Sequence, residues 1–320
     1  MSKITTGFSG KAKRLFIIFI CVGLLAVAFW VFSPSEPVAS GSTPRAPIHI
    51  LGNGDFTPAN GVVSGVGTYS DPYIIEGWNI NAASNHGIWI EYTTAYFVVR
   101  NCYLYEGAPN YHGIYFYQVF NGKIENVESS WNLFGLAVYN SGSESYGNTI
   151  ADCYVHENWW SGVYLQQSNH TQVSKSLLTQ NNNGIQIING HNNTLTGNTA
   201  NNNNRGIRLS SSSGNNTLNG NTANNNTASG IYIYESSNNT LNGNTANYNK
   251  WSGILLDYSD GNTLTGNTAN NNNRGIWLGT FSNNNRVTSN ACYFNSVYDI
   301  HNSEIGNIFQ YNSYGTSSGV

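Results

Sequence analysis

The chain has 320 residues, of which only 9% are charged, with 34 glycines and a formal net charge of −3 at pH 7. Ordinary globular domains carry about 25% charged residues; here Asn, Ser, Thr, Gly and Tyr fill the gap, as suits a turn-rich β surface outside the cell. Past residue 47, eight Lys and Arg face fifteen Asp and Glu with no basic stripe, which argues against a nucleic-acid partner.

Residues 1–14 hold Lys3, Lys11, Lys13 and Arg14 and precede an apolar run from Leu15 to Phe32. The positive flank predicts that 1–14 stays in the cytoplasm and that the rest lies outside. Eighteen apolar residues are close to the minimum for a spanning helix and longer than the core of about 7 to 15 typical of a signal peptide. Residues 15–32 are therefore read as a transmembrane anchor or a signal peptide, with Val38-Ala39-Ser40 as a small-residue cleavage site. Residues 33–47, rich in Pro and Ser, form a linker. The expected location is the cell surface, held to the membrane by the amino terminus, or the secreted fraction.

Residues 48–78 lack the pattern of the later chain and are expected to cap the open end of a solenoid, where a whole rung of backbone would otherwise be unpaired. Pro58 and Pro72 suit such an edge.

From residue 79 to 320 the chain repeats. Thr194, Thr217, Thr240 and Thr263 open four copies of Asn-Thr-Leu-x-Gly-Asn-Thr-Ala-Asn, each 23 residues after the last, the mark of a solenoid. Gly87, Gly113, Gly135, Gly162, Gly184, Gly206, Gly230, Gly253 and Gly275, each followed by Ile, Leu or Val, carry the register through nine turns, and Asp299-Ile300 reads as a degraded tenth. Apolar residues alternate with period two over short runs, which means strand, and Asn and Gly between the runs tolerate left-handed bends. The expected fold is all-β, a single-stranded right-handed parallel β-helix, with a closing coil near Ile305 to Tyr314.

Stacked at about 4.8 Å, like positions become columns. Leu195, Leu218, Leu241, Leu264 and Val287 should form one buried column; Ile207, Ile231, Ile254 and Ile276 another; Ala200, Ala223, Ala246 and Ala269 a third. Asn198, Asn221, Asn244, Asn267 and Asn290 should form an amide ladder. Cys102, Cys153 and Cys292 are expected to be buried, unpaired thiols at similar points of separate coils.

Three segments carry a resemblance. Ile50-Leu51-Gly52-Asn53-Gly54-Asp55-Phe56, Gly67-Thr68-Tyr69-Ser70-Asp71-Pro72-Tyr73-Ile74-Ile75-Glu76-Gly77-Trp78 and Phe97-Val98-Val99-Arg100-Asn101 resemble the opening of secreted right-handed β-helix proteins grouped with the periplasmic copper-binding, NosD-type family. The resemblance spans Ile48 to about Tyr314. It implies the fold, right-handed winding and a surface location, shared with carbohydrate-active lyases, hydrolases and epimerases, and it transfers no catalytic set.

Candidate site residues are read from strand alternation. The outward position between the apolar pair is Trp89, Tyr115, Ala137, Tyr164, Gln186, Arg208, Tyr232, Leu255 and Trp277 in turn, with Tyr117, Tyr139 and Tyr234 two places further on. Flat rings on an uncharged surface suit sugar stacking, and they also suit plain strand packing or a protein contact. A catalytic column would need carboxylates from neighbouring rungs. Only Glu235 and Asp257 come near one another. His86 and His112 precede the strand glycine in consecutive coils and would make a weak metal pair at a solvent-reaching corner. The reading placed first is a structural or polysaccharide-binding surface protein whose partner is a polysaccharide or cell-surface glycan. Behind it stand a polysaccharide-modifying enzyme of lyase, hydrolase or epimerase type and, third, a copper or other metal accessory role. No cofactor is legible.

Overall fold

The computed structural model describes residues 43–142 and 147–320. The basic segment, the apolar run and most of the Pro/Ser linker lie outside the described residues. Among the described residues no helix is long and apolar enough to cross a membrane; the only helical turns are the 3-10 pieces Asn53–Asp55 and Pro58–Asn60.

Each coil visits three faces. The Gly-Ile-x-Leu segments make a sheet of 12 strands, from Ile48–Leu51 to Ser317–Ser318, here called the Ile sheet. The Thr-Leu-x segments make another of 12, from Val62–Ser64 to Ile308–Gln310. A third sheet of seven strands runs from Thr43–Arg45 to Thr199–Asn201. It continues as single bridges through Thr222, Thr245 and Thr268. Apart from Val62–Ser64, all pairings between coils are parallel, so a residue's neighbour in space is its counterpart one repeat away, as in Ile207 beside Ile231 and Ile231 beside Ile254.

The expected Leu, Ile and Ala columns are all fully buried. The amide ladder is present and is one of three buried ones among the described residues. Asn221 shows its geometry: its Nδ2 donates to the Leu195 carbonyl at 2.9 Å and to Asn244 Oδ1 at 3.0 Å, while its Oδ1 accepts the Asn198 N–H at 3.0 Å. Asn193, Asn216, Asn239 and Asn262 repeat this before the Thr-Leu strand, and Asn203, Asn226, Asn249 and Asn272 before the Ile strand. Buried turns need such partners because water cannot reach them. Two glycines show different needs. Gly220, at φ +62, makes the left-handed bend between the second and third sheets, with open space where a Cβ would go. Gly206 has ordinary φ, but a Cβ there would lie 2.6 Å from the Gly230 carbonyl of the next coil.

Two expectations shift at the amino end. Thr43–Arg45, inside the stretch read as linker, pairs with Trp78–Asn81, and Ile48–Leu51, read as cap, pairs with Ile88–Thr93. The parallel stack thus already begins here. What closes it is the loop between: Val62–Ser64 turns antiparallel to Tyr73–Glu76, and Phe56 packs on Tyr73 and Phe97 at 4.7 and 5.2 Å. At the far end Tyr298–Asn302 is the tenth copy, paired with Arg274–Leu278. The Asp299 carboxylate there ends a ladder by accepting from Asn295, Gly315 and Thr316.

Cys102, Cys153 and Cys292 are buried and free. Burial pushes the Cys153 and Cys292 thiols up to about 12. Cys292 does not share the column of the other two: it follows Ala291, which bridges Thr268, and so extends the Ala269 column.

Candidate functional site

The outward face of the Ile sheet carries a run of aromatic and titratable side chains. Register confirms the predicted column: Trp89 beside Tyr115, Tyr115 beside Ala137, Ala137 beside Tyr164, and on through Gln186, Arg208 and Tyr232 to Leu255 and Trp277. The rings do not form one continuous stripe. Trp89, Tyr115, Tyr117, Tyr139 and Tyr164 make a cluster near the amino end, Tyr232 and Tyr234 a pair three coils beyond Tyr164, and Trp277 stands apart under Arg274, 4.3 Å away.

Within the first cluster the rings pack on one another. Tyr115 lies 5.9 Å from Trp89 and 5.2 Å from Tyr139 between centroids. Tyr164 stacks on Phe134 at 4.3 Å and is only 8% exposed, so it supports the face and offers a ligand little surface. Ala137, Gln186 and Leu255 are likewise covered. His49, in the strand before Trp89, stacks on that indole at 4.1 Å and bonds Glu91 at 2.8 Å.

His86 and His112 are not the solvent-reaching pair expected. Their rings stack at 4.7 Å, His112 is buried, and desolvation lowers their pKa values to about 4 and about 3. Both are neutral imidazoles near pH 7. His86 Nδ1 accepts the backbone N–H of His112 at 3.0 Å. That bond occupies His86 Nδ1, and among the described residues no three His, Cys, Asp or Glu side chains gather where a metal would need them. The donor set does not fit a copper centre.

The second half of the face holds what the sequence did not reveal. Arg205 and Arg208 come from one strand, Arg205–Ser210, and both are half-buried. Among the described residues neither meets a carboxylate: Arg205 bonds only Asn204, at 3.2 Å, and Arg208 Nε is buried without a partner. Burial, then the charge of Arg208, lowers the Arg205 pKa. Arg205 lies 5.5 Å over the Tyr232 ring. The Tyr232 hydroxyl donates to Asp257 Oδ2 at 3.4 Å. Burial and the Asp257 charge push Tyr232 up to about 12, and burial raises Asp257. Asp257 thus engages Tyr232, and Glu235, at an exposed turn, does not join it. The signal for this cluster was present, since Arg208 falls in the outward column, but only the fold shows that both guanidiniums lack counter-ions.

A family model described as right handed beta helix region matches residues 99–238, 135–292 and 213–317 in overlapping spans. The chain belongs to the right-handed β-helix family, and its coils wind right-handed. The narrower NosD-type, copper-binding group is not shown. No curated protein matches the chain in sequence. Among solved structures, the Azotobacter vinelandii mannuronan C-5 epimerase AlgE4 A-module aligns with TM-score 0.60 and 15% identity over 76% of this chain and 88% of that one. The periplasmic alginate epimerase AlgG aligns with TM-score 0.60 and 15% identity over 87% of each. The Dettilon tailspike protein gp208 aligns with TM-score 0.53 and 16% identity over 74% and 59%. At these identities the likeness is one of fold. It nevertheless corrects the reading placed first: these folds include named polysaccharide epimerases, and the face carries unpaired cations and a phenol–carboxylate pair as well as rings. A purely structural or passive binding role gives way to the alternative.

Proposed function

We propose that this protein is a polysaccharide-modifying enzyme acting on an acidic chain laid along the Ile sheet. The observation that carries the reading is the half-buried Arg205–Arg208 pair without a counter-ion beside Tyr232 and Asp257. Two desolvated guanidiniums are costly until an anion meets them, and a uronate carboxylate matches their planar donors. Holding that carboxylate also withdraws charge from the adjacent C5–H bond, which makes its proton removable. Asp257 as carboxylate accepts the proton, and Tyr232, whose raised pKa keeps its hydroxyl protonated, donates one to the leaving 4-oxygen. Departure of that 4-oxygen gives the unsaturated product of a lyase, whereas the epimer needs solvent to return a proton to the opposite face of C5, because Tyr232 and Asp257 are hydrogen-bonded to each other on one side.

Hydrolysis is less well served. It needs two carboxyl groups about 5 to 10 Å apart flanking the bond; Glu91 is seven rungs from Asp257, about 34 Å, and Glu235, one rung away, sits on an exposed turn off the sheet face. The rings from Trp89 to Tyr139 would hold further sugar units by stacking.

The test is incubation with alginate and polygalacturonate in deuterated water. Solvent deuterium at C5, or unsaturated chain ends, is expected with at least one; neither binding nor exchange with any acidic polymer would sink the reading. From the basic flank and apolar run we further infer that the coils lie outside the cell, anchored or released. Protease added to intact cells should then digest residues 48–320, and protection until lysis would reverse that topology.

A further inference from the structure

We propose a second glycan site on the outer surface of the seven-stranded sheet, for an uncharged polysaccharide segment, centred on Trp131 and Trp159. It does not depend on the arginine face. A groove of about 590 Å³ opens there, lined by Tyr103, Tyr105, Glu106, Ala108, Trp131 and Trp159.

Its construction is rigid. Tyr103 and Tyr105 stack at 4.8 Å, and the Tyr103 hydroxyl is within 3.1 Å of Ser130 Oγ. The loop after Tyr105 forms a wall, tied down where Ala108 N–H donates to the Trp131 carbonyl and Gly107 N–H to Asn132 Oδ1, both at 2.9 Å. Trp159 is set one coil on by its N–H to the Asn132 carbonyl, 2.9 Å. The two indoles are 52% and 58% exposed. On the Ile sheet, by contrast, rings cover one another, as Phe134 covers Tyr164. Packing of that kind leaves Tyr164 8% exposed, whereas Trp131 and Trp159 keep more than half of their surface, including large apolar faces, in water.

Charge selects the ligand. Glu106 and Glu157 occupy the corner column on either side of Trp131, following Tyr105 and His156 in register with Ser130. His156 pins Glu157 at 3.0 Å and Glu128 at 3.3 Å, and Asn81 donates to Glu106 at 2.5 Å. No Lys or Arg lines the groove. Carboxylates accept from sugar hydroxyls and repel a polyanion, while the indoles cover the C–H faces of sugar rings. The two faces of the coil thus sort glycans by charge.

The experiment is affinity electrophoresis of the whole protein through mixed-linkage β-glucan, xylan, galactomannan and alginate, with oxidative footprinting of the unmodified protein in the same polymers. Retardation by at least one neutral polymer is expected, with protection of Trp131 and Trp159. Trp131→Ala with Trp159→Ala should weaken it at least about tenfold, and Arg208→Ala should leave it unchanged. Failure of every neutral polymer to retard the protein, absent protection of both indoles, or full retention by the double variant overturns the site. If only alginate retards the protein and only Arg208→Ala abolishes that, this proposal fails while the arginine-face reading stands.

Discussion

Replacing Arg205 and Arg208 together by Ala is expected to lower kcat/KM on an acidic polysaccharide at least about 100-fold, with the fold intact. A charge-assisted hydrogen bond contributes about 1.5 to 3 kcal/mol, and about 1.4 kcal/mol is a factor of ten, so losing two such donors to one carboxylate exceeds that limit. Stability should hold or rise, because two half-buried like charges without counter-ions are removed. Binding of the acidic chain should weaken as salt rises. A stripe of rings alone would be nearly salt-insensitive, and the arginine pair changes that expectation. Lys at both positions should restore binding only in part, since an ammonium lacks the planar fork. Steady-state kinetics on the polymer that proves active decides the matter: an unchanged kcat/KM in the double variant removes the arginines, and with them the acidic substrate.

The second large effect is on folding. Ile231→Asp should leave little folded protein. Ile231 is fully buried between Ile207 and Ile254 in the core formed by the inward columns of the three sheets, and an unpaired charge there costs several kcal/mol, a large share of the roughly 5 to 15 kcal/mol that hold a domain together. Because a solenoid is stabilised by contacts between neighbouring coils, the break should propagate to both sides of that rung. Denaturant unfolding followed by circular dichroism is the measurement, and a midpoint equal to the parent's would refute the assigned core. Ile231→Val, which removes one methylene, should cost only about 1 kcal/mol.

The physical link between sequence and fold is unusually short here. In a parallel stack the residue one period away in sequence is the residue one rung away in space, so the 23-residue spacing alone places Leu195 against Leu218 and Asn198 against Asn221. The ends were harder to read. Thr43–Arg45 and Ile48–Leu51 lack the repeat's consensus, and nothing local says that they pair with Trp78–Asn81 and Ile88–Thr93.

What the sequence by itself determined is everything that period and alternation dictate: the coils, the inward columns, an amide ladder, and which side chains point outward. What only the tertiary structure decided is the environment of those outward side chains. Tyr164 is covered because Phe134 lies flat on it; His86 and His112 are neutral because neighbouring rings exclude water; Asp257 joins Tyr232 rather than Glu235 because the strand places one on the sheet and the other on a turn. The Trp131–Trp159 groove exists because the long connection from Tyr105 to His112 folds back as a wall. Pointing outward is a property of one strand, fixed by its two-residue alternation. Exposure, charge pairing and pKa depend on which side chains of adjoining coils and loops close over a position, and those contacts arise only when the loops are in place.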